Sequence, residues 1–124
     1  LQTIDYSRDA KQQLGSKKLH LMQPTVMVED PDSARELARR AISVYLPLEN
    51  YHRAWLERGF EERDFADRGS DHFIDKIVAW GSPERINEHY RAQFDAGVDQ
   101  IIIIPVGIDL RTDAGWQKLA SQIS

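Results

Sequence analysis

A chain of 124 residues is long enough for one ordinary domain. With 29% charged residues and a net charge of −4, it lacks both the composition of a disordered chain and the basic surface that binds nucleic acid. Cysteine is absent, which excludes disulfides and thiolate metal sites and fits a reducing, cytoplasmic setting.

Residues 5–14 read as a short helix, with Tyr6, Ala10 and Leu14 on one face and Gly15 as its stop. The apolar stretch 19–28 is split by Pro24, so a strand is assigned to Thr25, Val26, Met27 and Val28, with Pro24 at its start or in a bulge. Asp30 and Pro31 form an N-cap and N1 pair. The helix they open carries Ala34, Leu37, Ala38, Ala41, Ile42 and Tyr45 inward, while Arg35, Glu36, Arg39 and Arg40 make a solvated face. Pro47 breaks it. A further helical pattern over 48–58 ends at Gly59, and Tyr51 and Trp55, four apart, pack together. Residues 60–69 are charged and aperiodic and read as a mobile connection held by two apolar anchors, Phe60 and Phe65.

Ser70 or Asp71 caps the next helix, which turns Phe73, Ile74, Ile77 and Val78 inward and runs to Gly81. Ser82 and Pro83 restart the chain as a helix with a buried stripe of Ile86, Tyr90 and Phe94, closed by Gly97. The four isoleucines 101–104 follow. An unalternating β-branched run of this kind suits a parallel strand covered on both faces, and Pro105 ends it. Asp113 caps a last helix with Trp116, Leu119, Ala120 and Ile123 on one face.

The order is thus α-β-α, a helical insertion over about 46–81, then α-β-α. The expectation is two adjacent parallel strands with helices on one side of the sheet. Two strands leave two open edges and cannot bury two apolar faces alone. The chain therefore reads as a single partial α/β domain, the C-terminal portion of a (β/α)8 barrel, and its opening on Leu1 leads us to expect a segment upstream. No apolar run approaches the ~18 residues of a membrane span, and no signal-peptide pattern is present.

The chemistry is sparse. His20, His52, His72 and His89 have no ligand spacing, and Asp71, His72 and Asp75 at one helix start lack the further ligand a metal site requires, so no metal is expected. No nucleophile elbow, Walker loop or dinucleotide fingerprint appears. Gly107, after the second strand, is a lone loop glycine. Tyr51, Trp55 and Trp80 lie at spacings that assign them to packing.

Several spaced segments resemble luciferase-like oxidoreductases. These are Asp30 through Arg39 (DPDSARELAR), Tyr45 through Tyr51 (YLPLENY), Gly69-Ser70-Asp71 with Val78-Ala79-Trp80-Gly81, and Ala96-Gly97-Val98-Asp99. Together they look like the actinobacterial, F420-dependent (deazaflavin) branch, over the whole chain but only the last third or so of the family's barrel. The resemblance implies hydride transfer between an organic substrate and coenzyme F420, held at the C-terminal strand ends. The alternative is an FMN-dependent monooxygenase of the same superfamily.

In that alignment residues 19–28 are strand seven, 101–105 strand eight, and 50–70 belong to an insertion that includes a mobile lid. Pro105 and Gly107 become cofactor neighbours. The catalytic residues, most substrate contacts and the phosphate loop fall on earlier strands, outside this chain. The implied partners are a small-molecule substrate and either a second copy or the rest of the barrel, with no nucleic acid or membrane. The isolated chain is expected to be inactive. A non-catalytic interaction fragment, recruiting through its strand edges, is the reading from a different class.

Overall fold

The computed structural model describes residues 2–109 and 111–123. Among them are six α-helices, one 3-10 helix and a three-stranded parallel sheet, so the chain is mixed α/β. The elements are α1 (Ile4–Leu14), β1 (His20–Val26), α2 (Pro31–Ile42), α3 (Glu49–Glu57), the 3-10 stretch Glu62–Arg68, α4 (Asp71–Ile77), β2 (Ala79–Trp80), α5 (Pro83–Asp95), β3 (Gln100–Val106) and α6 (Asp113–Ile123). No described helix is long and apolar enough to cross a membrane.

The sheet order is β2-β1-β3. The expected neighbours pair in parallel along their whole length, His20 opposite Gln100 through Val26 opposite Val106. Both strands pass through the prolines that were expected to bound them. Pro24 is tolerated because strand residues two apart face the same neighbour. The Val26 carbonyl accepts from Gly81 N–H on the β2 side at 3.1 Å, so Pro24 faces that side too. There β2 has not begun, since its first pair is Thr25 with Ala79. The Pro24 carbonyl is met by the buried Gln23 amide, which also donates to the Ile77 carbonyl, each at 3.0 Å. Pro105 lies in β3, an edge strand, where a missing donor is tolerated.

The third strand corrects the expected two. Residues 79–80 do not end a helix running to Gly81. The helix α4 stops at Ile77, and Ala79 and Trp80 pair with Thr25 and Val26. Going from β1 to β2 and back past β1 to β3 reverses direction across the sheet. With crossovers of one hand, the two connections must then lie on opposite faces. They do, which corrects the expectation of helices on one side only. Val26, Trp80 and Val106 share a cluster with Ala34, Ala38 and Ile42 of α2 and Phe73, Ile74 and Ile77 of α4. Ala79, Ile101 and Ile103 meet Ile86 and Tyr90 of α5 on the other face, where the Thr25 hydroxyl and Tyr90 phenol lie 2.7 Å apart.

The insertion is a packed layer. Trp55, Phe60 and Phe65 surround the fully buried Phe73 edge-on, with ring centroids 4.8, 5.0 and 5.4 Å away. Phe60 and Phe65 thus serve as the expected anchors. The connection between them is a hydrogen-bonded 3-10 turn, in which Asp64 accepts from the Glu61 N–H at 2.9 Å and the Ser70 hydroxyl at 2.7 Å.

Three expected inward faces are rotated. In α1 the buried position is Ser7, not Tyr6, because α1 meets α5 through a polar contact: the Ser7 hydroxyl donates to Gln93 Oε1 at 2.6 Å. Gln93 consequently replaces Phe94 in the buried stripe of α5, and Phe94 is 46% exposed. Trp116 is 55% exposed, while Gln122 anchors α6 to α5 through the Asn87 side chain at 2.9 Å. The Ile123 side chain lies outside the described residues.

Truncating Phe73 removes a ring touched on three sides, so Phe73→Ala is expected to cost about 3–5 kcal/mol. Phe94→Ala should stay within about 0.5 kcal/mol. Urea unfolding of the two variants measures the difference, and equal losses contradict this core.

Candidate functional site

The carboxyl ends of β1 and β3 lie side by side at the point where the strand order reverses, the place where open α/β sheets take ligands. The chain leaves β1 through Met27, Val28, Glu29 and Asp30, and leaves β3 through Gly107, Ile108 and Asp109. Of the candidate residues, Gly107 lies at this edge, exposed, with φ +76°. A Cβ there meets Leu37 Cδ1 of α2 at 3.2 Å, so glycine suits both the left-handed backbone and the close helix. Pro105 is inside β3, half-buried and opposite Thr25.

Two of the acidic side chains at this edge are already engaged. Asp30 caps α2, accepting from Ser33 N–H at 2.9 Å, and that bond holds its carboxyl below the usual range. The Asp109 carboxylate accepts from Arg111 Nε at 2.9 Å and from the Arg111 backbone N–H at 3.0 Å, which lower its pKa likewise. No histidine lies in either loop. The edge offers backbone groups and carboxylates; it has no nucleophile and no unpaired cation among its described residues.

The sequence-stretch around Asp71 and Asp75 serves another purpose. Arg35 donates to both oxygens of Asp75, Nε at 3.1 Å and Nη2 at 2.9 Å, and Trp80 Nε1 donates to the same carboxylate at 2.8 Å. Burial alone raises the Asp75 pKa; the Arg35 and Trp80 hydrogen bonds outweigh it and leave the group below its ordinary value. Arg39 pairs with Asp71. These pairs stitch α2 to α4 across the arginine face that reads as solvated in the sequence. Trp80 lies between the guanidiniums of Arg35 and Arg85, 5.1 and 4.0 Å from its ring centroid.

Sequence reading missed a pair of adjoining clefts under the first turn of α1, both lined by Thr3 and Arg58. One, of about 290 Å³, is walled by Tyr6, Tyr51 and Trp55. The other, of about 310 Å³, brings together His72, Lys76 and His89. His89 Nε2 is buried and has no hydrogen-bond partner among the described residues. Its only sequence signal was its place in α5, between the buried Ile86 and Tyr90. Burial, with the charges of Arg85 and Lys76, pushes the His89 pKa down to about 4.

Compared with protein-family models, curated proteins and solved structures, the chain matches none.

The strand edge and the cleft generate separate expectations. Gly107→Ala forces an L-residue into the left-handed region against Leu37 and should cost about 1–2 kcal/mol in urea unfolding. For His89, the unfolded chain takes up the imidazole proton near pH 6.5 and the folded chain near 4. Between those values the unfolded state binds more protons, so this group's contribution falls as the pH drops from 6.5 to about 4. Its size is of the order of 3 kcal/mol. In urea titrations across that range, His89→Gln should flatten the slope; an unchanged slope rejects a buried neutral His89.

Proposed function

We propose that this chain is the C-terminal part of a luciferase-like (β/α)8 oxidoreductase, with coenzyme F420 as the cofactor. The observation that carries the reading is the parallel pairing of β1 and β3, the pair that the resemblance aligns with neighbouring barrel strands, with Gly107 at their common carboxyl edge. A second feature agrees with it. Met22 and Ile102 are paired on one sheet face, near its amino-terminal end, and are 55% and 43% exposed. A barrel interior would cover them, and the α2–α4 layer on the carboxyl-end half of that face would sit at the barrel's mouth.

The described residues fit only part of such a cofactor. Gly107 is exposed at the strand ends, although Leu37 of α2 packs where its Cβ would be, so a planar ring would approach its backbone from the solvent side. The phosphate-bearing tail finds no free cation here, because Arg111 is held by Asp109 and the neighbouring side chains are acidic. The tail's partners, like the catalytic groups, would come from the earlier barrel strands. When bound, the deazaflavin supplies the hydride acceptor or donor; the residues of this chain would position its ring and exclude water.

Fluorescence titration of the 124-residue chain with F420 and with FMN tests the division of labour. Weak binding and no turnover are expected, because only one edge of the site is present. Micromolar binding of either cofactor shows a self-sufficient site at Gly107. If the full-length protein also fails to bind F420, the oxidoreductase reading is rejected; if it binds FMN instead, the monooxygenase reading replaces it.

A further inference from the structure

The cleft of about 310 Å³ between α1, α4 and α5 has no place in the strand-end reading. It lies against the first turn of α1 and among the helices, on residues that the carboxyl edge of the sheet does not use. Its volume is near the lower limit of small-molecule sites, and such sites combine an apolar wall with a few convergent polar groups. Phe60 and Ile4 give the wall, with Phe60 buried and its ring 5.6 Å from that of His72. Lys76 and His89 give the polar groups.

The charge balance of the cleft decides what it can hold. Two carboxylates line it: Asp75 is held by the two-pronged Arg35 contact, and Asp5, which points largely to solvent, pairs with Arg8 at 3.2 Å. Arg58 is likewise taken, by Asp9. Lys76 is exposed, and no ion pair or hydrogen bond engages its ammonium among the described residues. Its charge and that of Arg85 act on His89, so the field at the orphaned ring nitrogen is positive. A neutral imidazole can present Nε2 as an N–H donor in one of its tautomers. A buried donor without a partner costs free energy that a ligand oxygen would relieve.

We propose that this cleft binds a small organic acid. Its carboxylate meets the Lys76 ammonium and, as the ligand displaces what covers that atom in the free chain, the His89 Nε2–H, while its apolar body lies against Phe60 and Ile4. A cation is disfavoured by the same balance, since the only unpaired charge lining the cleft among the described residues is positive.

The test uses the full 124-residue chain, isotope-labelled, titrated with 3-phenylpropanoate and, in parallel, with the uncharged 3-phenylpropan-1-ol. Saturable shifts of the His89 ring nitrogens and of amides around Phe60 and Lys76 are expected for the acid, with binding at least about tenfold tighter than for the alcohol. Lys76→Met, at an exposed position that should leave the fold intact, is expected to weaken the acid about tenfold and leave the alcohol unchanged. His89→Phe should fill the cleft and abolish both. Absence of saturable shifts, equal affinity for acid and alcohol, or shifts confined to the strand edge around Gly107 overturns the proposal. Absence of shifts or equal affinity leaves the strand-end reading untouched, since its residues are different, whereas shifts confined to Gly107 would point to the strand edge as the binding site.

Discussion

Strand β1 is paired with β3 along its length and with β2 at Thr25 and Val26, and its carboxyl half is buried on both faces; the other elements take their places from that condition. Val26 points into the cluster shared with α2 and α4, while Thr25, one residue earlier, meets Tyr90 of α5 on the opposite face. A central parallel strand needs a helix layer on each side, because either bare face would leave several apolar side chains in water. The short β2 and the longer β3 flank it, and their connections go to opposite faces because the crossovers share a hand. Gln23 and Pro24 show the cost of the arrangement. Because β2 begins only opposite Thr25, the Pro24 carbonyl has no strand partner on that side, and the buried Gln23 amide turns back to donate to it.

The two helix layers are held by different chemistry. On the α2–α4 face the contact is aromatic and aliphatic, with Phe73 at its centre, and the arginines of α2 close the seam over Asp71 and Asp75. On the α5 face, α1 is attached by polar bonds: Ser7 to Gln93, and Lys11 to Asp99 at 2.7 Å. Asp99 also accepts from Leu19 N–H at 2.8 Å, so one carboxylate ties the end of α1, the start of β1 and the turn into β3. Gly97 makes that turn possible, since a Cβ there would lie 2.6 Å from Lys11 Cγ. The cleft at His89 lies along this polar seam, under the first turn of α1.

The molecule therefore offers ligands two different environments. The carboxyl edge of the sheet is backbone-rich and acidic. The cleft at His89 is lined by Asp5, Asp75, Arg58 and Lys76, of which Lys76 alone has no ion pair among the described residues.

Much of the local structure was legible in the sequence. Asp30 with Pro31 and Ser82 with Pro83 announced two helix starts, because capping depends on side chains only three residues away. The isoleucine run announced a parallel strand, and Phe60 and Phe65 were recognisable as anchors. The parallel pairing of the two long strands was also expected and is found, whereas other features that depend on a neighbour distant in sequence were not legible. Proline ends a strand only if its missing donor was needed, and that depends on where β2 begins. Ala79 and Trp80 follow a helix directly and become a strand only because β1 is beside them. Helix faces were misjudged where the contact is polar, since hydrophobic periodicity cannot anticipate that Ser7 seeks Gln93 while Phe94 and Trp116 face outward. Likewise Gly107 could be marked from its place after a strand, whereas the His89 cleft needed α1, α4 and α5 to meet. By itself the sequence determined the helix caps, the glycine stops and the two long strands, because short-range sterics and hydrogen bonding set them. Tertiary structure alone decided strand order, the two covered faces and the cleft, because those follow from packing between segments far apart in the chain.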